Sequence, residues 1–275
     1  MTQNILANYK QASRSQKEEQ PDILIGNAMF ACSLLKFVRH VPFKVGIIHH
    51  LYHASSVDGS SKRMVRIIGI LERLALRLIR LDKIGVVNPT VKDSLVKRGF
   101  RQEDIVVVGN GVDPCEYSFC ENKTPHSLIY IGSFRKLKRV SSLIEVVSRV
   151  RREVPDVILH MVGDGPEHEE VSRNVKSLGM GDSIVMYGYL SEKEKINLLA
   201  SCEIYVSNSS FEGFGIPLVE AMATGTVPVV SNIPSHRFIS QDRDVGYLVD
   251  STEEMAARII ELLADETKRL QLAQS

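Results

Sequence analysis

Short apolar runs alternate with amphipathic stretches of helical period throughout the second half of the chain. The runs are typical of buried strands, and the stretches between them place apolar residues on one helical face. Strands that alternate with helices predict a parallel sheet covered by helices on both faces. The predicted strands span residues 128–131, 157–162, 183–187, 203–207, 227–231 and 246–249, and the predicted helices span 141–153, 167–178, 191–200, 217–224 and 251–264.

The first half shows the same alternation with less regularity. Asn88 and Pro89 suit the N-cap and the first position of a helix. The predicted strands in this half span residues 22–26, 45–48, 83–87 and 104–108, and the predicted helices span 28–40, 62–80 and 89–97. The pattern divides the chain into a polar segment 1–20, a partial N-terminal domain 21–114, a linker 115–127 and a C-terminal domain 128–275.

The composition is that of an ordinary globular protein. The 275 residues carry 34 Lys and Arg against 33 Asp and Glu, a formal net charge of +1, which argues against a nucleic-acid partner. Four cysteines occur without a Cys-x-x-Cys pair, so we expect neither a zinc site nor a disulfide framework. The sequence shows no signal-peptide core and no apolar run of membrane-spanning length. We therefore expect a cytoplasmic protein, either free or at the inner face of the membrane.

The stretch 209–225 carries the most specific chemistry. Gly213 and Gly215 let a ligand approach the backbone, and the helix predicted after them directs unpaired N–H groups at an anion. Glu212 and Glu220 flank this helix N-terminus, and their carboxylates can accept hydrogen bonds from sugar or ribose hydroxyls. The pattern thus indicates a site for a phosphate that is joined to hydroxyl-rich groups. A glycine-containing turn in a core, with two solvated acids, would have the same spacing.

Three further loops follow predicted strands of the same sheet. Loop 132–139 combines a glycine turn with four cations, which suits a diphosphate, although a solvated basic loop has the same composition. Loops 163–166 and 188–190 are tight turns, in which Tyr189 either faces a ligand or is a half-buried aromatic residue. Because the carboxyl ends of parallel strands share one edge of a sheet, we expect all these loops to converge on one ligand. His49 ends a predicted strand of the first domain, without carboxylates or cysteines nearby to complete a metal site.

Taken together, these loops resemble the family 4 retaining glycosyltransferases of the GT-B fold. The resemblance rests on Glu212 and Glu220, which are separated by seven residues, and on the sequence Phe-Gly-Ile-Pro-Leu-Val-Glu-Ala-Met-Ala between and beyond them. It implies an α/β fold of GT-B type, with two Rossmann-like parallel-sheet domains. The N-terminal domain is expected to be incomplete, because the sequence begins at what matches a middle strand of the family's first domain. The sequence also ends before the family's last helices.

The resemblance also implies a reaction and the residues that carry it. A sugar would pass from a UDP- or GDP-sugar to a hydroxyl acceptor, which is a glycan, a lipid-linked acceptor or a small molecule. The transfer would retain the anomeric configuration and need no metal or other cofactor. Lys138 would stabilise the departing diphosphate, Glu212 would hold donor-sugar hydroxyls, and Glu220 would hold the ribose. The implied catalytic residues are Glu212, Lys138 and His49, and the implied donor-binding residues are Ser133, Arg135, Lys138, Gly163, Tyr189, Leu190, Glu212, Gly213, Phe214, Gly215, Ile216 and Glu220.

Two features leave alternatives open. Ser133 stands where the family commonly has an arginine, so Arg135 or Arg139 would have to supply the missing charge. An incomplete acceptor-side domain is also compatible with a nucleotide-sugar-binding module, with an inactive partner subunit of a complete glycosyltransferase, or with another GT-B enzyme such as an epimerase. The basic amphipathic segment 62–80 fits either a domain helix or a peripheral contact with anionic lipid.

Overall fold

The computed structural model describes residues 21–27, 29–37, 41–49, 51, 70–71, 74, 81–241 and 244–275. The chain divides into two compact units, Met1–Asn110 and Gly111–Ser275. The described residues form a four-stranded parallel sheet in the first unit and a six-stranded parallel sheet in the second. The α/β class predicted from the sequence is therefore confirmed. In the described ranges, no helix has the length and apolar character needed to cross a membrane.

The strands of the first unit lie side by side in chain order. The unit contains β1 Ile23–Asn27, α1 Met29–Leu34, β2 Phe43–Ile48, β3 Lys83–Val86, α2 Pro89–Val96 and β4 Ile105–Val107, in the sheet order β1-β2-β3-β4. Helix α2 begins as predicted, because the Asn88 side chain accepts a hydrogen bond from Val91 N at 2.9 Å and Pro89 follows the cap. A short 3-10 turn continues α1 to Phe37, within the predicted helix 28–40.

The second unit has a more complex strand order. It contains β5 Ser127–Ile131, α3 Val140–Val150, β6 Ile158–Val162, α4 His168–Ser177, β7 Ile184–Gly188, α5 Glu192–Ser201, β8 Ile204–Ser207, α6 Ile216–Ala223, β9 Val227–Ser231, α7 Pro234–Ser240, β10 Tyr247–Val249, α8 Thr252–Ala264 and α9 Glu266–Ala273. The sheet order is β10-β9-β8-β5-β6-β7, with every pairing parallel. Side chains that alternate along β5 enter two apolar clusters: Leu128 and Tyr130 pack with α3 and α8, whereas Ile129 packs with α5 and α6. Helices thus cover both faces of this sheet, as predicted.

Several predicted elements differ in detail or lie outside the described residues. Helices α7 and α9 were not predicted, because each is short and has little apolar periodicity. Helix α6 begins at Ile216, so Pro217 takes the second helical position rather than the first. The predicted helix 62–80 lies outside the described residues except for Ile70, Leu71 and Leu74, which are helical and about half exposed.

The segment 115–127, predicted as a linker, belongs to the second unit and packs against it. Thr124 N donates a hydrogen bond to Ser201 O at 2.7 Å. The Lys123 ammonium donates to Thr224 O at 2.9 Å, at the C-terminal end of α6, where partial negative charge accumulates. The segment lacks regular structure, which is why its sequence resembles a linker, but its backbone and its lysine are anchored.

A buried ion pair fixes α9 to the residue that precedes β8. Arg269 Nη2 lies 2.7 Å from Glu203 Oε1, and the two side chains are 10% and 6% exposed. The other guanidinium nitrogen donates to Leu262 O at 3.1 Å, and Glu203 Oε2 accepts from His126 N at 2.7 Å. Burial raises the pKa of the Glu203 carboxyl, and the charge of Arg269 opposes that shift. Because this pairing is polar, the apolar pattern gave no indication of α9.

We predict that Arg269→Met lowers the free energy of unfolding by about 3–5 kcal/mol at neutral pH, because it leaves Glu203 as an uncompensated buried charge. A raised pKa in the folded state makes the ionised carboxyl the costly form. The loss should therefore be full at neutral pH and shrink as the pH falls and Glu203 takes up a proton. Denaturant unfolding as a function of pH measures both effects. Arg149→Met is the matched control, since its pairs with Glu145 and Glu253 are exposed; equal losses in both variants would contradict the prediction.

Candidate functional site

The candidate site lies at the carboxyl ends of β5 and β8, where the sheet changes its direction of winding. From β5 the chain proceeds to β6 and β7 on one side, and from β8 it proceeds to β9 and β10 on the other. Helices α3 and α6, which follow these two strands, pack on opposite faces of the sheet. The chain therefore leaves β5 and β8 toward opposite faces of the sheet, and parallel sheets bind their ligands in the crevice at such a position.

One residue joins the two loops. Ser210, after β8, donates hydrogen bonds to Leu137 O from its backbone N at 2.7 Å and from its hydroxyl at 3.0 Å. Leu137 belongs to the short 3-10 turn Lys136–Lys138, after β5. This double contact fixes the turn against the second loop, so the side chains that follow Leu137 and Ser210 meet.

Lys138 and Glu212 form an ion pair where these loops meet. Lys138 Nζ contacts Glu212 Oε2, and the Ser209 hydroxyl donates to Glu212 Oε1 at 2.8 Å. The two charged side chains are 22% and 14% exposed, so the pair is largely withdrawn from water while remaining reachable from the crevice. The structure thus brings together the cation and the carboxylate that the resemblance named as catalytic.

The loop that carries Glu212 is supported from behind by a buried hydrogen-bonded chain. The Ser231 hydroxyl donates to Ser209 O at 2.6 Å, and His236 Nδ1 lies 2.8 Å from Ser231 O. Burial lowers the pKa of His236, so its ring is neutral at neutral pH and Nδ1–H donates to that carbonyl. These polar contacts hold the loop in place, and sequence analysis did not identify Ser231 or His236.

The N-terminus of α6 opens next to this pair. Gly215 occupies the N-cap position at φ 109°, a left-handed conformation that favours glycine, and no side chain caps the helix there. Phe214 is buried and packs edge-on against Phe238, with ring centroids 6.4 Å apart, whereas Ile216 is 43% exposed. Pro217 has no N–H, and Leu218 N donates to Gly215 O at 3.0 Å. The Ile216 amide and the helix dipole thus form an anion-binding end without a side-chain cap.

The loops after β5, β6 and β7 lie side by side, as predicted. An added Cβ at Gly163, whose φ is 128°, would lie 2.0 Å from Gly132 O, so only glycine permits this approach. Phe134 N donates to Asp164 O at 3.0 Å, and Gly163 N donates to Gly188 O at 2.8 Å. Backbone contacts therefore connect all three loops at one edge of the sheet.

The remaining implied donor residues of the second unit differ in exposure. Tyr189 is 81% exposed, so it is not the half-buried aromatic residue that the sequence left as an alternative. Leu190 is partly buried and packs against the core on the α5–α6 face. Ser133 is partly buried and its carbonyl accepts from the Tyr130 hydroxyl at 3.1 Å, whereas Arg135 is exposed.

His49 lies in the first unit, at the carboxyl end of β2. Its Nε2 is 2.6 Å from Asn27 Oδ1, at the neighbouring end of β1, so the amide orients the ring. Sequence analysis missed Asn27, although it also ends a strand. In the part of the chain that the structure describes, no three His, Cys, Asp or Glu side chains group as metal ligands would.

Glu220, in α6, is the most buried acid of the site. It is 4% exposed, and its Oε1 lies 2.8 Å from both the Tyr117 hydroxyl and Lys195 Nζ. Its Oε2 is also buried, and it has no hydrogen-bond partner among the described residues. Buried carboxylate oxygens are normally hydrogen-bonded, so an unpartnered one is a candidate ligand contact. Sequence analysis missed Tyr117 and Lys195, because neither belongs to a motif.

Both partners of Glu220, Lys195 and Tyr117, have raised pKa values. Burial opposes the charge of Lys195, but its hydrogen bonds to Glu192, at 2.6 Å, and to Glu220 outweigh burial and raise its pKa. Burial, together with the same two carboxylates, raises the pKa of Tyr117 far above its usual range. Lys195 is therefore a cation, and Tyr117 a proton donor, at every ordinary pH.

Models of two protein families match the chain. The model described as "Glycosyl transferases group 1" matches residues 118–275, and that described as "Glycosyltransferase Family 4" matches residues 2–116. The N-acetyl-alpha-D-glucosaminyl L-malate synthase of Bacillus anthracis is 35% identical over 153 residues, which are 55% of this chain and 39% of that protein. The MMP alpha-(1->4)-mannosyltransferase of Mycolicibacterium hassiacum is 32% identical over 222 residues, 77% of this chain and 53% of that protein. The chain thus spans about half or less of the length of these relatives.

Solved structures show the same fold. Anabaena Alr3699/HepE in complex with UDP and glucose matches with a TM-score of 0.78 at 17% identity, over 98% of this chain and 74% of that chain. Sucrose-phosphate synthase from Thermosynechococcus elongatus matches with a TM-score of 0.80 at 17% identity, over 99% and 72% of the two chains. These likenesses confirm the GT-B type fold with two Rossmann-like parallel-sheet domains. Since the first family model covers more than half of its residues, the chain belongs to the glycosyl transferases group 1 family.

Proposed function

We propose that this chain binds a nucleotide diphosphate-sugar in its second unit and transfers the sugar to a hydroxyl acceptor. The observation that carries the proposal is the contact between Lys138 and Glu212 beside the uncapped N-terminus of α6. A cation and a helix N-terminus suit a diphosphate. Glu212, before this N-terminus, suits the hydroxyls of a sugar, and Glu220, within α6, suits those of a ribose.

The electrostatics of the site support catalysis at the leaving group. Negative charge accumulates on the nucleoside diphosphate as its bond to the sugar breaks. Lys138, whose side chain is 22% exposed, and the N-terminus of α6 would supply positive charge where that negative charge develops. Glu212, held by Ser209, would accept hydrogen bonds from the donor sugar once the diphosphate draws Lys138 away.

Three further aspects of the proposal come from the family resemblance. The reaction retains the anomeric configuration, and it needs no divalent metal because Lys138 and α6 supply the positive charge. By the same resemblance, His49 is assigned a contact with the donor sugar. We favour UDP as the donor nucleotide, because the structurally similar HepE was solved in complex with UDP and glucose. GDP is the alternative. The acceptor is a glycan, a lipid-linked acceptor or a small molecule with a free hydroxyl.

A second candidate function is binding of the nucleotide-sugar without transfer, as a module or partner subunit of a complete glycosyltransferase. One observation favours it: the loops after β5, β6, β7 and β8, with Glu220, all belong to residues 111–275. These donor-binding groups therefore come from one unit, whereas transfer also needs an acceptor. Binding and transfer must be measured separately.

We predict that the purified chain binds one class among UDP-, GDP- and ADP-sugars, and that Glu220→Ala weakens this binding roughly 10- to 100-fold. Hydrogen bonds to a buried carboxylate contribute about 1.5–3 kcal/mol, and the variant removes them. Isothermal titration calorimetry with the three donor classes measures the affinity and identifies the base. Glu194→Ala is the control, because Glu194 is exposed and only caps α5. Absence of binding by every donor would refute the proposed function.

We predict that Lys138→Met lowers kcat for sugar transfer roughly 100- to 1000-fold, as expected when a donor to the developing charge is lost. The assay measures release of the nucleoside diphosphate in the presence of candidate acceptors. Lys136→Met removes an exposed lysine from the same turn and should retain activity within about twofold. A similar loss of kcat in both variants would mean that the rate depends on the total positive charge of the turn and not on Lys138 in particular.

The same assay tests retention and metal independence. Chelation of divalent metals by EDTA should leave the rate of transfer unchanged. The NMR signal of the anomeric proton should show that the product has the same anomeric configuration as the donor sugar. Binding of the donor without turnover by any acceptor would favour the binding module over the enzyme.

We also propose a cytoplasmic location with contact at the inner face of the membrane. All four cysteines are free, and burial raises the pKa of Cys32 to about 11 and that of Cys202 to about 12, so these thiols stay protonated. The segment 62–80 carries arginines at helical spacing. Ile70 and Leu71, within it, are 51% and 50% exposed, which suits insertion at a lipid surface.

Reversing two charges of that segment, Arg73→Glu with Arg77→Glu, should weaken binding to vesicles that contain anionic lipid by at least about tenfold, since each basic residue near such a surface contributes about 1 kcal/mol. Cosedimentation measures the binding. Arg173→Glu with Lys176→Glu is the control, because it makes the same charge change on an exposed part of α4. An equal effect of the two double variants would attribute the binding to net charge alone and contradict the proposal.

A further inference from the structure

Two of the residues around Glu220 have no role in the site as described so far. Tyr117 precedes β5 and Lys195 lies in α5, whereas Glu220 belongs to α6. The Tyr117 hydroxyl and the Lys195 ammonium both approach Oε1 at 2.8 Å, while Oε2 has no partner among the described residues. Two donors from distant parts of the second unit therefore converge on one oxygen of a single carboxylate.

Lys195 compensates the charge of this carboxylate. Its side chain is 15% exposed and that of Glu220 is 6% exposed, so the pair is withdrawn from water. An isolated carboxylate at such a position would carry a large desolvation cost. Glu192, whose side chain is 63% exposed, contacts the same ammonium at 2.6 Å from the solvent side. The lysine is thus held between an outer and an inner carboxylate.

Tyr117 restricts the orientation of the carboxylate. A hydroxyl has one proton, so Tyr117 donates to one acceptor at a time, either Glu220 Oε1 at 2.8 Å or Glu192 Oε1 at 3.0 Å. Because Lys195 and Tyr117 both hold Oε1, rotation of the carboxyl group would break two contacts. Oε2 is consequently fixed in direction and keeps its capacity to accept hydrogen bonds.

We propose that Lys195 is a positioning residue, which compensates the charge of Glu220 and orients Oε2 to accept hydrogen bonds from the ribose hydroxyls of the donor nucleotide. This inference rests on the proposed function and deepens it. Tyr117 assists by completing the contacts of Oε1. Lys195 therefore sets the preference of the site for a ribonucleotide over a nucleotide that lacks the ribose hydroxyls. It does so through Glu220, without contacting the nucleotide itself.

The test compares UDP with 2′,3′-dideoxy-UDP, and GDP with 2′,3′-dideoxy-GDP, by titration calorimetry. The discrimination ratio is the dissociation constant of the dideoxy nucleotide divided by that of its ribonucleotide. For the natural chain we expect a ratio of roughly 10 to 100, the range for hydrogen bonds to a charged acceptor. For Lys195→Met we expect a ratio below about 3, with the affinity for the dideoxy nucleotide changed less than about threefold. A purely structural role would weaken both nucleotides together and leave the ratio unchanged.

Matched variants separate this role from general charge and from misfolding. Lys193→Met removes an exposed lysine from the same helix and should keep the natural ratio. Lys195→Arg keeps the charge and should restore a ratio well above that of Lys195→Met. If Lys195→Met fails to fold, Tyr117→Phe provides the measurement, and a ratio lower than that of the natural chain supports the positioning of Oε1.

An unchanged discrimination ratio would overturn the inference, whether it is measured in Lys195→Met or in Tyr117→Phe. If the affinities for the ribonucleotide and the dideoxy nucleotide fall equally in Lys195→Met, Lys195 is assigned to the diphosphate or to the fold. Failure of the natural chain to bind UDP, GDP and both dideoxy nucleotides would refute the proposed function as well, so the two failures are distinguishable.

Discussion

The reversal of winding between β5 and β8 is the constraint on which the candidate site depends. A parallel sheet needs a crossover between successive strands, and the handedness of crossovers sends helices to opposite faces once the strand order reverses. The neighbouring strands β5 and β8 are therefore followed by helices on opposite faces of the sheet. The main parts of the site lie at this edge: the turn that carries Lys138 comes after β5, and the loop that carries Glu212 and the N-terminus of α6 come after β8.

Charge compensation explains why these groups are arranged in pairs. Glu212 and Glu220 are both withdrawn from water, and each contacts one lysine, Lys138 and Lys195 respectively. The two pairs differ in their remaining contacts. The oxygens of Glu212 are both engaged, by Lys138 and Ser209, whereas Glu220 keeps one oxygen without a partner among the described residues. A ligand with a diphosphate would draw Lys138 away from Glu212, while Lys195 lies behind Glu220 and stays with it.

The sequence predicted the strands and most helices of the second unit from their apolar periodicity, and capping serines mark the starts of α5 and α8. It missed α9, since the contact that fixes this helix is the Arg269–Glu203 ion pair rather than an apolar stripe. It also treated residues 115–127 as a linker, because backbone anchoring and the contacts of Lys123 leave no periodic pattern. Elements held by burial of apolar area were thus predictable, and elements held by specific polar contacts were not.

The same distinction applies to the site. Lys138, Glu212 and Gly215 occur in short contiguous motifs, because a loop that meets a ligand constrains adjacent residues together. Tyr117 and Lys195 come from separate elements, and only the folded second unit brings them to Glu220. A buried carboxylate needs a counter-charge, so the acid at Glu220 implies some cation nearby. The sequence alone gives no way to choose Lys195 over its neighbour Lys193, because that choice depends on which face of α5 packs against α6.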